Sequence, residues 1–165
     1  LPYFASAATP RYNSEARGVL LGLTFAHDRA SMARAFMEGI TLDMKDMIEG
    51  MKKAGIPVTD VRILGGPTKS SLWNQIQADI YGVPVSTLKV TDATVLGAAI
   101  MGGVGAGVFP TIEEGASRMV RTEQVYEPEQ KNTDLYDNLY GIFCDTYESL
   151  TERSVYTKIA DIQND

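Results

Sequence analysis

Apolar residues recur three or four positions apart from Met32 through Phe36, Ile40, Met44, Met47 and Ile48 to Met51. That spacing predicts one long amphipathic helix. Asp28 stands where a side-chain oxygen caps the first turn. Gly55, with Pro57 two residues beyond, marks the end. The methionine stripe suits adaptable core packing, with a partner groove as the other use of such a face. Gly39 lies inside the helix. It costs about 1 kcal/mol against Ala there, so close approach of another backbone is expected. The period then changes. Val58 to Leu64 reads as a strand, Gly65-Gly66 as a tight turn, and Ser70 to Tyr81 as a helix. Leu72, Trp73, Ile76 and Ile80 are its expected core side chains, and Gly82 ends it. Val83, Val85 and Thr87 alternate in a second short strand, which Pro84 places near an edge or a start. Asp92 caps a helix from Ala93 to about Ala106, closed by Gly107. Its small residues, Gly97, Ala98, Ala99, Gly102 and Gly103, suit tight packing on a sheet or a neighbouring helix.

Thr111 caps a short helix, Ile112 to Met119, whose start suits Glu113 and Glu114. Val120 to Thr133 is polar, contains Pro128, and is expected to run as an extended connection. Asp134 to Arg153 forms the last predicted helix, with Leu135, Leu139, Ile142, Phe143, Thr146 and Leu150 inside and Tyr136, Tyr140 and Tyr147 flanking them. Cys144 beside that face reads as a small buried hydrophobe. Ser154 to Asp165 is polar and is expected to fray. At the other end, Leu1 to Arg17 is loop-like, and Gly18 to Thr24 reads as a short buried strand or an extended segment. The order helix, strand, helix, strand, helix, helix implies α/β layering. Two or three strands make a thin sheet, and the chain starts at Leu1 without Met. Both features lead us to expect a piece of a longer protein, with further elements upstream.

The 165 residues, 44% apolar and 22% charged, suffice for one globular domain with its own core. The net charge of −6, from 15 basic and 21 acidic residues without a dense basic stretch, argues against nucleic acid or an anionic membrane surface. A lone cysteine permits no internal disulfide. Without a signal-peptide pattern or a long apolar run, a cytoplasmic protein is expected. His27, the single histidine, has no Cys or second His near it and defines no zinc site. Neither common glycine-rich phosphate loop is present, nor a nucleophile elbow. Gly102 to Gly107 trails a helix instead of opening one. Asp43, Asp46, Glu49, Glu113 and Glu114 read as solvated surface charge. What remains is the turn at Gly65-Gly66. Glycines let the chain bend sharply and admit a flat ring against bare backbone, with the free amides of a helix start just beyond. A Gly-Gly after a strand is about as often only a turn.

The run Gly65-Gly66-Pro67-Thr68-Lys69-Ser70-Ser71-Leu72-Trp73, followed by Gln77-Ala78-Asp79 and Gly82-Val83-Pro84-Val85, resembles the adenosine motif of FGGY carbohydrate kinases. Asp92-Ala93-Thr94-Val95-Leu96-Gly97-Ala98-Ala99 resembles a helix start of that family, with Asp for its usual Glu. Leu1-Pro2-Tyr3, Thr9-Pro10, Ala16-Arg17-Gly18, Gly22-Leu23-Thr24 and Arg34 to Gly39 match in order and spacing. The resemblance runs from Leu1 to about Leu150, and the xylulose-kinase branch is the nearest. It implies a ribonuclease H-like α/β domain of the actin, hexokinase and Hsp70 superfamily, incomplete at its N-terminal side. The chain, 1–165, would be the C-terminal nucleotide-binding domain. It implies ATP and Mg2+, a sugar held by the N-terminal domain, and a catalytic Asp and metal site upstream, so that this fragment alone would be inactive. A homodimer is compatible with it. By matching position, Gly65, Gly66 and Pro67 would face the adenine, Ser70 would supply a polar contact, and Thr68 and Asn74 would lie at the pocket rim. Trp73 would either stack on the base or point to the core. Pro67 replaces the family's third glycine and removes an amide donor. Ala5-Ser6-Ala7-Ala8 replaces its Gly-Glu-Arg, which touches the sugar side. The other reading of these residues is a non-catalytic α/β module for oligomerisation or partner binding, through the Met-rich and small-residue helices.

Overall fold

Asp28 Oδ1 accepts from the Ser31 amide at 2.8 Å and opens α1, Arg29–Lys53. The helix stops where the amides of Ala54 and Gly55 turn back to Gly50 and Lys52, with Gly55 at a positive φ. The computed structural model describes residues 1–90 and 92–164. After α1 come β1, Val61–Ile63, then α2, Ser71–Tyr81, and β2, Val85–Leu88. They are followed by α3, Ala93–Gly105, α4, Ile112–Met119, and β3, Thr122–Tyr126. The chain finishes with α5, Gln130–Glu152, and α6, Val155–Asn164. The sheet order is β1-β2-β3. β1 runs parallel to β2, with Val61 opposite Val85 and Ile63 opposite Thr87. β3 is antiparallel to β2, with Val85 opposite Tyr126, and the register shifts between Thr87 and Leu88.

α2 is the central helix. It packs against α1 on one side and α5 on the other, and Asn74 and every residue from Ile76 to Tyr81 are buried. Ile76, Ala78, Ile80, Val85 and Leu42 form the core with Tyr3, Tyr126, Tyr136 and Phe143. Leu72 faces solvent at 51% exposure, against the sequence expectation, because it lies on the side of α2 that neither neighbour covers. α3 and α4 meet at a corner where Gly115 has no room for a side chain. A Cβ there would sit 2.8 Å from Ile100 Cγ2 and 3.0 Å from Phe109 Cδ2. Gly115→Ala is therefore expected to cost about 1–3 kcal/mol in urea denaturation. An unchanged midpoint would show that the corner yields freely.

Several expectations are corrected. Val120 to Thr133 is not simply an extended connection. It contains β3, whose residues are exposed except Tyr126, so no apolar alternation announced an edge strand held by its backbone. α5 begins at Gln130, four residues ahead of Asp134, because Asp79 on α2 accepts from the Glu129 amide at 2.9 Å. The polar tail is helical. Tyr156 and Ala160, four apart, are buried, and Tyr156 packs its ring 5.7 Å from that of Tyr147. Gly18 to Thr24 forms no strand, and Leu20, Leu21 and Leu23 are exposed. Gly39 has nothing within 4 Å of an added Cβ, so no backbone approaches it closely.

Asp46 is not a solvated charge. It pairs with Arg11 Nε at 2.8 Å and accepts from the Tyr140 hydroxyl at 2.5 Å. Arg11 lies over the Tyr147 ring at 4.0 Å, with Nη2 3.5 Å from Cys144 Sγ. Cys144 is thus half-buried beside a guanidinium and not in a purely apolar site. This cluster ties the N-terminal loop to α1 and α5. Burial pushes the neighbouring Asp43 carboxyl and the Tyr3 and Tyr140 phenols above their ordinary values. One residue before Asp46, buried Lys45 pairs with Asp137 of α5 and lies 5.4 Å from the Tyr140 ring.

Candidate functional site

β1 ends at Ile63, and two residues later Gly65 adopts φ +86, a conformation that L side chains rarely reach. Gly66–Lys69 then winds as one 3-10 turn, with Pro67 inside it. The Gly65 carbonyl accepts from the Thr68 amide at 3.2 Å and from Thr68 Oγ1 at 2.7 Å. The Pro67 carbonyl accepts from the Ser70 amide at 3.0 Å. Ser70 Oγ accepts from the Trp73 amide at 3.3 Å and caps α2. The turn is thereby closed by its own bonds and delivered directly into a helix.

The carboxyl ends of the parallel strands β1 and β2 emerge on the same side of the sheet. The first leads into the glycine turn and the second toward the start of α3. Between them lies a cleft of about 440 Å3, lined by Leu64, Gly65, Gly66 and Lys69 on one side and Asp92, Ala93 and Thr94 on the other. The edge beyond the carboxyl ends of parallel strands is where open α/β sheets bind ligands. A Cβ added at Gly66 would meet nothing within 4 Å, because it would project into open space. Asp92 Oδ1 accepts from the Val95 amide at 3.1 Å and caps α3. Lys69 and Asp92 form no ion pair among the described residues.

Of the residues expected from the sequence, Gly65 and Gly66 line this cleft. Pro67 and Thr68 instead line an apolar groove on the α1 side of the turn, with Ile40, Met44 and Trp73. Ser70 is half-buried at the α2 cap. Asn74 is fully buried and is not a rim residue. It sits behind the turn and donates from Nδ2 to the Thr68 carbonyl at 2.8 Å. Trp73 points to α1, where Nε1 donates to Thr41 Oγ1 at 3.0 Å, so the core alternative for that ring holds. Lys69, Asp92, Ala93 and Thr94 stood in the resembling runs without a pocket role. Asp92 was legible as a helix cap. Only the parallel pairing of β1 with β2 brings it opposite the glycines.

Among the described residues no three His, Cys, Asp or Glu side chains gather as metal ligands, and no helix is long and apolar enough to cross a membrane. These residues therefore do not build a metal cage by themselves.

Residues 1–106 match the family model for the C-terminal domain of the FGGY family of carbohydrate kinases. A xylulose kinase of Staphylococcus epidermidis is 37% identical over 142 residues, covering 86% of this chain and 29% of that protein. A glycerol kinase of Aromatoleum aromaticum is 40% identical over 129 residues, covering 78% of this chain and 26% of that protein. The crystal structure of a ligand-bound xylulose kinase from Lactobacillus acidophilus superposes with a TM-score of 0.86 at 28% identity, covering 96% of this chain and 32% of that one. The chain thus spans less than a third of the length of each of these relatives, and its fold is the actin- and hexokinase-like fold of sugar kinases.

Proposed function

The chain belongs to the FGGY family of carbohydrate kinases, and from that premise we propose that it is the nucleotide-binding part of an enzyme transferring the γ-phosphoryl group of ATP to a sugar hydroxyl. The observation that carries this reading is the cleft between Gly65-Gly66 and the start of α3. All its lining residues, from Leu64 to Thr94, fall inside the stretch matched by the family model. The acceptor is a ketose, with xylulose first, because the resembling runs and the Staphylococcus and Lactobacillus relatives favour that branch. Glycerol is the competing acceptor.

Phosphoryl transfer asks a protein mainly to position groups and to stabilise charge. The proposed share of this chain is the base end. The bare peptides of Gly65 and Gly66 take the flat purine, which needs a slot free of side chains. Ser70 caps α2 through its oxygen lone pair, which leaves its own O–H available to the base edge. Lys69 offers a cation at the cleft mouth. Pro67, which lines the groove on the α1 side, stiffens the turn. Magnesium would neutralise phosphate charge, held by the phosphates and by residues outside this cleft. The resemblance implies that the base taking the proton of the sugar hydroxyl belongs to another part of the enzyme, so the 165 residues alone should turn over no sugar.

ADP is expected to raise the unfolding midpoint. At a free concentration of 100 times Kd the stabilisation would be about 2.7 kcal/mol. Thermal denaturation with and without millimolar ADP measures it, and no shift would remove the pocket. The acceptor follows from ADP release by the protein at its natural length over D-xylulose, glycerol and gluconate. A folded protein inert toward every acceptor would favour the non-catalytic module.

A further inference from the structure

Asn74 is an odd residue to bury completely. Its side chain is 0% exposed, in the first turns of the most enclosed helix of the fold. Nδ2 makes one bond, to the Thr68 carbonyl at 2.8 Å, and Oδ1 has no partner among the described residues. Exchanging the two amide atoms does not help, because Oδ1 would then face the carbonyl oxygen of Thr68, acceptor against acceptor. A buried acceptor left unpaired is costly, and the single bond of its amide nitrogen does no more than offset that cost. Stability alone gives little reason for an amide at this position.

The bond matters for what it holds. Thr68, gripped at its carbonyl by Asn74, grips Gly65 in turn through its amide and its hydroxyl, both of which donate to the Gly65 carbonyl. The relay runs from the buried centre of α2 through the 3-10 turn to the peptide that lines the cleft. A glycine pair has no side chains to anchor it and is otherwise free to adopt several conformations. We infer that Asn74 is a positioning residue for the nucleotide. It fixes the Gly65-Gly66 backbone in the orientation that receives the base, at the expense of stability, without touching the ligand. This rests on the nucleotide reading of the cleft.

The test uses the protein at its natural length, with ADP affinity and unfolding midpoint measured side by side. Asn74→Ala removes the clamp and the orphaned oxygen together. It is expected to weaken ADP binding about tenfold or more while leaving the midpoint within error, because displacing a positioned group by about 1 Å can cost up to about 100-fold. Thr68→Val removes the hydroxyl half of the next link and leaves the amide bond to Gly65 in place. If the two act through one relay, the double variant loses less affinity than the sum of the single losses. Unchanged ADP affinity in Asn74→Ala would overturn the proposal, since the turn would then hold without its clamp. A midpoint falling in step with affinity would also overturn it, marking Asn74 as ordinary core. Wild-type protein that binds no ADP would sink the nucleotide reading first, and this proposal with it.

Discussion

Gly66→Val is expected to abolish protection by ADP while leaving the unfolding midpoint of the free protein unchanged. The two halves of that expectation come from one geometric fact. A Cβ on Gly66 meets nothing within 4 Å, so the fold does not resist the side chain. Gly66 lines the cleft between the glycine turn and the start of α3. An isopropyl group there occupies the slot of the base and keeps the ring off the backbone. A loss of at least about 100-fold in affinity, roughly 2.7 kcal/mol, is expected. Gly65→Val is a useful contrast. Gly65 sits at φ +86, so a β-branched residue strains the backbone and should lower the midpoint as well. Titration calorimetry with ADP, alongside thermal unfolding, separates the two cases. Protection that survives in Gly66→Val would put the nucleotide elsewhere.

The largest stability effect is expected at Asp79. Its carboxylate is buried on α2 and collects three donors at 2.9 Å: Gln75 Nε2, the Glu129 amide and Asn132 Nδ2. Glu129 is the N-cap residue of α5 but supplies no capping bond from its own side chain. Asp79 takes that role from another helix, and its charge lies at the positive end of the α5 dipole. Asp79→Ala leaves the Glu129 amide without its acceptor, leaves Asn132 Nδ2 only its bond to Glu129 Oε2 at 3.2 Å, and removes the fastening between α2 and α5. Bonds to a charged acceptor contribute more than neutral ones, so a loss of about 3 kcal/mol is expected. A domain is commonly stable by only about 5–15 kcal/mol, so this is a large share. Asp79→Asn keeps one acceptor oxygen and should lose about half as much. Urea unfolding of the three proteins measures the series. A loss below about 1 kcal/mol for Asp79→Ala would mean that α5 starts without this cap.

The same residue shows why part of the fold was hidden in the sequence. The caps at Asp28, Asp92 and Thr111 were legible, and each accepts from an amide three residues ahead. Capping of that kind, helical periodicity and the glycine stops are local, so a short stretch of sequence contains all the interacting groups. The start of α5 was misplaced because its cap lies fifty residues upstream, on a different helix. β3 is not legible in sequence because its partner strand, and not any alternation of its own, makes it a strand. α6 carries little apolar signal in sequence, because among its described residues only Tyr156 and Ala160 are fully buried.

The candidate site divides in the same way. From its sequence alone this protein declares a strand, a Gly65-Gly66 turn and a following helix, and with them one wall of a cleft. Conformational freedom without a Cβ is a property of the residue itself. The opposite wall, at Asp92, Ala93 and Thr94, depends on two strands running parallel, so that their carboxyl ends open on one side. Tertiary structure also turned Trp73 toward Thr41, placed Asn74 behind the turn and buried Asp46 against Arg11. The contacts of Trp73 and Asp46 join residues more than thirty positions apart. Their energies depend on which surfaces meet, and no local pattern encodes that.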